Sequence, residues 1–140
     1  MIRRLCLAAF VVILSGCSLS SAQQALLDFV NRPPASGTPC REWAGAFRLA
    51  HFRDEDGSLE RILSIAHRES RCDPAAFRPG RKNGDGLPDL GLVQIHFTWA
   101  PQLEAAGIIS RYEDLTNPGL NARAAEFILA HQGWAAWTPR

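Results

Sequence analysis

The sequence predicts an α+β fold that is mainly α, and three observations predict it. Apolar residues recur at helical spacing in several segments. Helix-starting and helix-ending residues bracket the longest of them. Between them lies a stretch, residues 78–90 (RPGRKNGDGLPDL), so dense in Gly, Pro, Asn and Asp that it reads as a loop or hairpin turn.

Each element follows in order. Residues 24–30 allow a short helix in an otherwise Ser- and Pro-containing segment. Trp43, Phe47 and Ala50 recur at i, i+4 and i+7, which predicts a helix over 41–52 with Trp43 and Phe47 in the core. Ser58 is a good N-cap for a second helix, with Leu59, Ile62, Leu63, Ile65 and Ala66 as its apolar stripe. That helix must end near Arg71, because Asp73 precedes Pro74 and a residue before proline avoids the α region. Residues 92–97 allow a strand or the start of a helix, and Thr98 is placed to cap a short helix to residue 106. Asn117-Pro118 is an N-cap followed by proline at the first helical position. Leu120, Ala124, Phe127, Ile128 and His131 mark one face of that helix, and Gly133 ends it. Trp134 and Trp137 follow in a last turn.

The N-terminus carries an export signal. Arg3 and Arg4 precede a ten-residue apolar run, residues 5–14, too short to span a bilayer. Leu14-Ser15-Gly16-Cys17 then has the lipobox pattern: an apolar residue, two small ones and a cysteine whose thiol carries the lipid. The competing reading is an ordinary signal peptide cut after Ala22. The expected organisation is a lipoprotein signal at 1–17, a tether at 18–39 and one domain at 40–138. The chain would be exported and lipid-anchored in the cell envelope. Ser18 after Cys17 is compatible with the periplasmic face of the outer membrane in a Gram-negative source.

Cysteine use follows from that location. Cys6 leaves with the signal and Cys17 is lipidated, so Cys40 and Cys72 remain in an oxidising compartment and are expected to pair. Removing residues 1–17 takes Arg3 and Arg4 from the 15 basic residues and none of the 14 acids, which leaves 13 against 14. A near-neutral chain of this kind is not expected to have a nucleic-acid partner. Nothing points to an oligomer, and a monomer is expected.

Glu69 is the first chemical anomaly. Ile62, Ile65 and Ala66 lie seven, four and three positions before it, which puts it on the apolar stripe of its own helix. A lone carboxyl there resists ionisation, and the helix C-terminal dipole pushes the same way. A carboxylic acid kept protonated is a proton donor. The alternative is a partly exposed acid paired with Arg68, Arg71 or Arg123.

The second feature is Asp85-Gly86-Leu87-Pro88-Asp89-Leu90-Gly91-Leu92-Val93-Gln94-Ile95. Glu69-Ser70 followed by a turn and Gly-Leu-x-Gln-Ile resembles the lysozyme-like superfamily, which includes soluble lytic transglycosylases. C-type lysozymes look closer still. They share an Asp-Gly-x-x-Asp stretch before Gly-x-x-Gln-Ile, an Asp-Ile-Thr-like segment (here Asp114-Leu115-Thr116) and a terminal Gly and Trp-rich turn (here Gly133-Trp134-Ala135-Ala136-Trp137). The resemblance covers roughly residues 40–138. It implies a helical lobe and a small β-hairpin lobe flanking a cleft. It also implies cleavage of peptidoglycan between N-acetylmuramic acid and N-acetylglucosamine, as a muramidase or a lytic transglycosylase.

Roles carry over position by position as implications of that resemblance. Glu69, with Ser70 beside it in the motif, matches the general acid. Asp89 matches the second carboxylate of C-type lysozymes, and Asp85 the position where G-type lysozymes place theirs. Gln94 matches a glutamine that contacts sugar, and His96 follows it closely enough to face sugar too. Trp99 matches a platform on which a sugar ring stacks. Trp134 matches the indole that packs on the acid and keeps it dry.

The chain also departs from these patterns. The C-type disulfide framework is absent, Leu90 replaces an aromatic, and Ala130-His131-Gln132-Gly133 stands where transglycosylases carry a Tyr-Asn pair. Hydrolysis and transglycosylation therefore stay equally open. Asn83, Asp85, Gly86 and Asp89 echo a calcium loop, but Arg81 and Leu92 occupy two essential ligand positions. His51, His67, His96 and His131 lack metal-ligand spacing, so neither metal nor cofactor is expected. A reading from another class is a non-enzymatic, peptidoglycan-binding envelope lipoprotein that keeps the cleft without turnover.

Overall fold

The computed structural model describes residues 19–80 and 85–138. The expected signal segment and Cys17, the expected lipidation site, lie outside the described residues. Among the described residues no helix is long and apolar enough to cross a membrane.

Helix α1, Ser21–Asn31, starts on Ser20. The Ser20 hydroxyl accepts the Gln23 N–H, and the Gln23 side-chain oxygen accepts the Ser20 N–H, a reciprocal cap. The segment expected to be a tether thus holds a full helix whose last turn is docked. Buried Arg48 donates to the carbonyls of Val30 and Arg32 and pairs with Asp54 through two nitrogens, at 3.0 and 3.1 Å.

The helix expected over 41–52 is split. A 3-10 turn, Arg41–Trp43, leads into α2, Ala44–Leu49. Cys40 has a left-handed φ of 52° and forms the expected disulfide with Cys72, with 5.3 Å between their Cα atoms. The Trp43 indole N–H donates to the Cys72 carbonyl at 2.9 Å, which ties this corner to the end of the next helix.

Helix α3, Ser58–Ser70, buries Leu59, Ile62, Leu63, Ile65 and Ala66, the stripe read from the sequence. Its N-cap is Gly57, with φ 71°, not Ser58. Ser58 instead enters the helix, and its hydroxyl accepts the Arg53 N–H at 2.9 Å. Arg71, left-handed at φ 58°, ends the helix where Asp73-Pro74 predicts.

Three two-residue strands form an antiparallel sheet in the order β1 (Phe77–Arg78), β2 (Asp89–Leu90), β3 (Ile95–His96). Arg78 faces Asp89 across the first pair, and Asp89 faces His96 across the second. A 3-10 turn, Phe97–Trp99, then runs into α4, Ala100–Ala105. Thr98 lies inside that turn, and His96 caps it, so Thr98 is not the cap it was expected to be. A further 3-10 turn, Tyr112–Thr116, precedes α5, Pro118–Gln132. Asn117 caps α5 as read, its Oδ1 accepting the N–H groups of Gly119 and Leu120 at 2.9 and 3.1 Å. Gly133, at φ 63°, ends it, and the last 3-10 turn is Gly133–Trp137.

So short a sheet cannot hold itself, and buried polar contacts fix it to the helices. Asn121 of α5 is fully buried; its amide donates to Leu90 O at 3.3 Å and Leu115 O at 3.0 Å, and its oxygen accepts the Val93 N–H at 3.2 Å. Gly91 admits that approach: its φ is 83°, and a Cβ there would lie 2.1 Å from Asn121 Nδ2. The Trp137 indole N–H donates to Val93 O at 3.0 Å. The Gly91–Gln94 turn is therefore the hub that carries the sheet on the helical core of Phe47, Ile62, Leu63 and Ile128. The outcome is a mainly helical α+β domain, a helical lobe and a small sheet lobe, as the sequence predicts.

Candidate active site

Between the lobes lies a cleft of about 710 Å³. Glu69 reaches it from the last turn of α3. Arg78, Asp89 and His96 reach it from β1, β2 and β3. Their register puts them side by side on one face, one residue from each strand. Asp85, Gln94, Trp99 and Trp137 complete the parts of the wall that matter chemically.

Glu69 is not the lone carboxyl on an apolar stripe that its spacing predicts. Its side chain is 19% exposed. The helix ends one residue later, so no further turn covers it, and two guanidinium groups reach it. Arg68 donates to Oε1 from Nη2 at 2.8 Å and from Nε at 3.0 Å. Arg78 Nη2 lies 3.4 Å from Oε2 and 3.2 Å from the Glu69 carbonyl. Arg68 was among the partners the sequence allowed, and Arg78 was not. The other nitrogen of the same guanidinium, Nη1, stands 3.9 Å from Asp89 Oδ2. One arginine therefore touches a carboxylate from each lobe.

The two candidate second carboxylates differ. Asp89 is half-buried on the central strand, and burial pushes its carboxyl above the usual aspartate range. His96 and Arg78 oppose that shift, while the charges of Glu69 and Asp85 add to it. Asp85 is exposed in the loop before β2. Its Oδ1 accepts the Leu87 N–H at 3.0 Å, which holds its carboxyl below the usual range. Its Oδ2 lies 3.2 Å from His96 Nε2. His96 Nδ1 lies 2.9 Å from Thr98 Oγ1, so both ring nitrogens have partners.

Gln94 is buried at a left-handed φ of 50° and lines the cleft. Its amide nitrogen donates to Ala76 O and Gly91 O, each at 2.9 Å, so it also locks the turn. Trp99 is half-buried in the wall, edge-on to Phe127 with ring centroids 6.4 Å apart.

Two expected residues stand elsewhere. Ser70 is buried and donates its hydroxyl to Ala66 O at 2.9 Å. It follows Glu69 by one residue, about 100° around the helix, and so faces inward rather than into the cleft. Trp134 lines a separate groove of about 540 Å³, with the Arg61 guanidinium 4.3 Å from its ring centroid. Trp137, whose ring centroid is 6.2 Å from that of Trp134, is the member of this pair that lines the cleft, and its carbonyl accepts from Arg68, the partner of Glu69.

Arg78 and Trp137 are thus the site residues the sequence reading missed. A hairpin pairing across 79–88 would have set Arg78 opposite Asp89 as a cross-strand charge pair. For the tryptophans no signal in sequence decides which indole turns to which cavity. Among the described residues no group of three or more His, Cys, Asp or Glu is placed to hold a metal ion. Asn83, part of the calcium-loop echo, lies outside the described residues.

The arrangement offers carboxylates from both lobes, a fixed cation between two of them and aromatic walls. No curated protein and no solved structure matches the chain. The sequence model of the lysozyme-like domain family matches residues 50–139, which covers more than half of the chain and every residue of the cleft. The chain belongs to the lysozyme-like domain family.

Proposed function

We propose that the protein cuts peptidoglycan glycan strands at the β-1,4 bond between N-acetylmuramic acid and N-acetylglucosamine, with Glu69 as the general acid. The family is one of glycosidases and lytic transglycosylases that act on peptidoglycan. The observation that carries the finer reading is that Glu69 lines one cleft with Asp89 and His96, with Arg78 reaching both carboxylates.

In the proposed reaction the saccharide lies along the cleft and displaces Arg68 from the Glu69 carboxyl. Glu69, protonated, gives its proton to the glycosidic oxygen as the C1–O bond breaks. Positive charge grows on the sugar ring, and the Asp89 carboxylate faces it. Water then attacks C1, or the muramic acid's own 6-hydroxyl closes an anhydro ring, and the Glu69 carboxylate takes up the proton that the attacking oxygen loses. Gln94, His96 and Trp99 supply the wall along which the sugar binds. A lipid at Cys17 would hold the enzyme in the envelope beside its substrate.

The test is turbidity loss of purified peptidoglycan. The wild-type protein should clear the suspension, and Glu69→Gln should not. A variant as active as wild type removes Glu69 from the chemistry. The second reading, wall binding without turnover, draws on the two guanidiniums that occupy Glu69. It expects sedimentation of the protein with sacculi and no clearing.

A further inference from the structure

We infer that Arg78 is a positioning residue whose guanidinium fixes Asp89, and not Asp85, as the carboxylate that works opposite Glu69. The inference rests on the glycosidase reading above and adds a residue and a choice that reading leaves open.

Arg78 touches Glu69 at two atoms and approaches Asp89 with its other terminal nitrogen. It comes from β1, which pairs directly with the Asp89 strand, so its backbone is held in register with one of the two acids it serves. Two carboxylates facing one cleft repel each other, and a planar cation between them lets both stand there. Among the described residues Asp85 has no such link. It is exposed, turned to the Leu87 N–H and to His96, and has no arginine within ion-pair distance among the described residues.

Among the described residues the groups that face Asp89 are Arg78 on β1, His96 on β3, Glu69 on α3, Asp85 in the loop and Tyr112, whose hydroxyl donates to Pro88 O and Ile95 O. Burial, Glu69 and Asp85 disfavour its charged form; His96 and Arg78 favour it. His96 carries a charge only when protonated, whereas a guanidinium keeps its charge at every working pH. Loss of Arg78 should therefore move the protonation of Asp89 to higher pH. A carboxylate that must be charged to act then fails sooner as the solution is acidified.

The experiment measures muropeptide release against pH for wild type, Arg78→Gln, Arg78→Lys, Asp89→Asn, Asp85→Asn and Glu69→Gln. Arg78→Gln should lower kcat about tenfold or more with KM within about threefold. It should also shift the acidic limb of the kcat profile to higher pH. Arg78→Lys should return that limb to its wild-type position but restore only part of the rate, since one ammonium cannot span two carboxylates. Asp89→Asn should cost far more of kcat than Asp85→Asn, a comparison that stands even if Arg78→Gln does not fold, and equal losses would overturn the choice of Asp89. Wild-type kcat and an unmoved limb in Arg78→Gln, beside an inactive Glu69→Gln, would overturn the inference and leave the glycosidase reading in place. An active Glu69→Gln would overturn the reading itself.

Discussion

The cleft around Glu69 and the groove around Trp134 lie on either side of the Trp134–Trp137 pair and draw on the same residue types. The groove holds Trp134, Arg61, His51, Asp56 and Glu126. The cleft holds Trp137, Arg78, His96, Asp89 and Glu69. In the groove, among the described residues, no two of the charged groups come within ion-pair distance, and Arg61 spends its guanidinium on the face of an indole. In the cleft the charges converge, because paired strands and a helix end fix where they stand. Helix α3 serves both, with Ser58 and Arg61 at one end and Glu69 at the other. Composition does not distinguish the two cavities; the backbone that presents the side chains does.

That comparison can be broken, and the largest effect is on activity. Glu69→Gln should reduce glycan cleavage by about a hundredfold to ten-thousandfold, the range for loss of a general acid. Glu126→Gln, the same change in the groove, should leave the rate within about twofold of wild type. Equal losses in the two variants, measured on purified sacculi, would erase the distinction.

The next largest effect is on stability. Gly91→Ala would drive a Cβ to 2.1 Å from Asn121 Nδ2 and 2.4 Å from Leu115 O, at a φ of 83°. It should cost about 3 kcal/mol or more in urea unfolding, from overpacking and left-handed strain together. Gly57→Ala on the groove side meets open space at φ 71°, and only the strain remains, about 1 kcal/mol. A smaller cost at Gly91 than at Gly57 would mean that the turn is not the rigid hub of the sheet.

The tryptophans separate the cavities more gently. Trp137→Phe strands the Val93 carbonyl, which now accepts the indole N–H at 3.0 Å, and should cost about 1–3 kcal/mol along with cleavage rate. Trp134→Phe keeps an aromatic ring beside Phe52 and should leave the rate nearly unchanged. Thermal melts and sacculus assays on both variants check the pair.

The smallest effect concerns Asp89. Burial raises its carboxyl in the folded protein, so the folded state holds that proton more tightly than the unfolded chain does. At neutral pH the ionised group then subtracts from stability. Asp89→Asn should melt slightly higher than wild type at neutral pH. The gain should fade as the pH falls through the raised Asp89 range and be gone below about 4, where the unfolded chain also protonates its aspartates. Asp85, held low by the Leu87 N–H, should show the opposite sign: Asp85→Asn should melt lower at neutral pH.

These contrasts also show why some of the molecule was legible in sequence and some was not. Asn117-Pro118 and Gly133 bracket α5 because caps are local chemistry. The stripe of α3 is visible because thirteen residues contain more than three turns of period. The strands have two residues each and contain no period to read. Arg78 was hidden for that reason, since its importance is a matter of register. Gln94 and Asp89 stood out through a resemblance, and both line the cleft. Trp134 and Trp137 are three residues apart in a 3-10 turn, where such neighbours nearly eclipse, so spacing could not sort them between the cavities. The Glu69-Ser70 motif pairs the two residues in sequence, although one step along a helix turns a side chain away.

Mass spectrometry of the muropeptides released by wild type and by Glu69→Gln tests the central claim most directly. The expected digest contains fragments that end in N-acetylmuramic acid, in reducing or anhydro form, and the variant should release almost none. Fragments that end in N-acetylglucosamine, or equal release by the variant, would contradict the account.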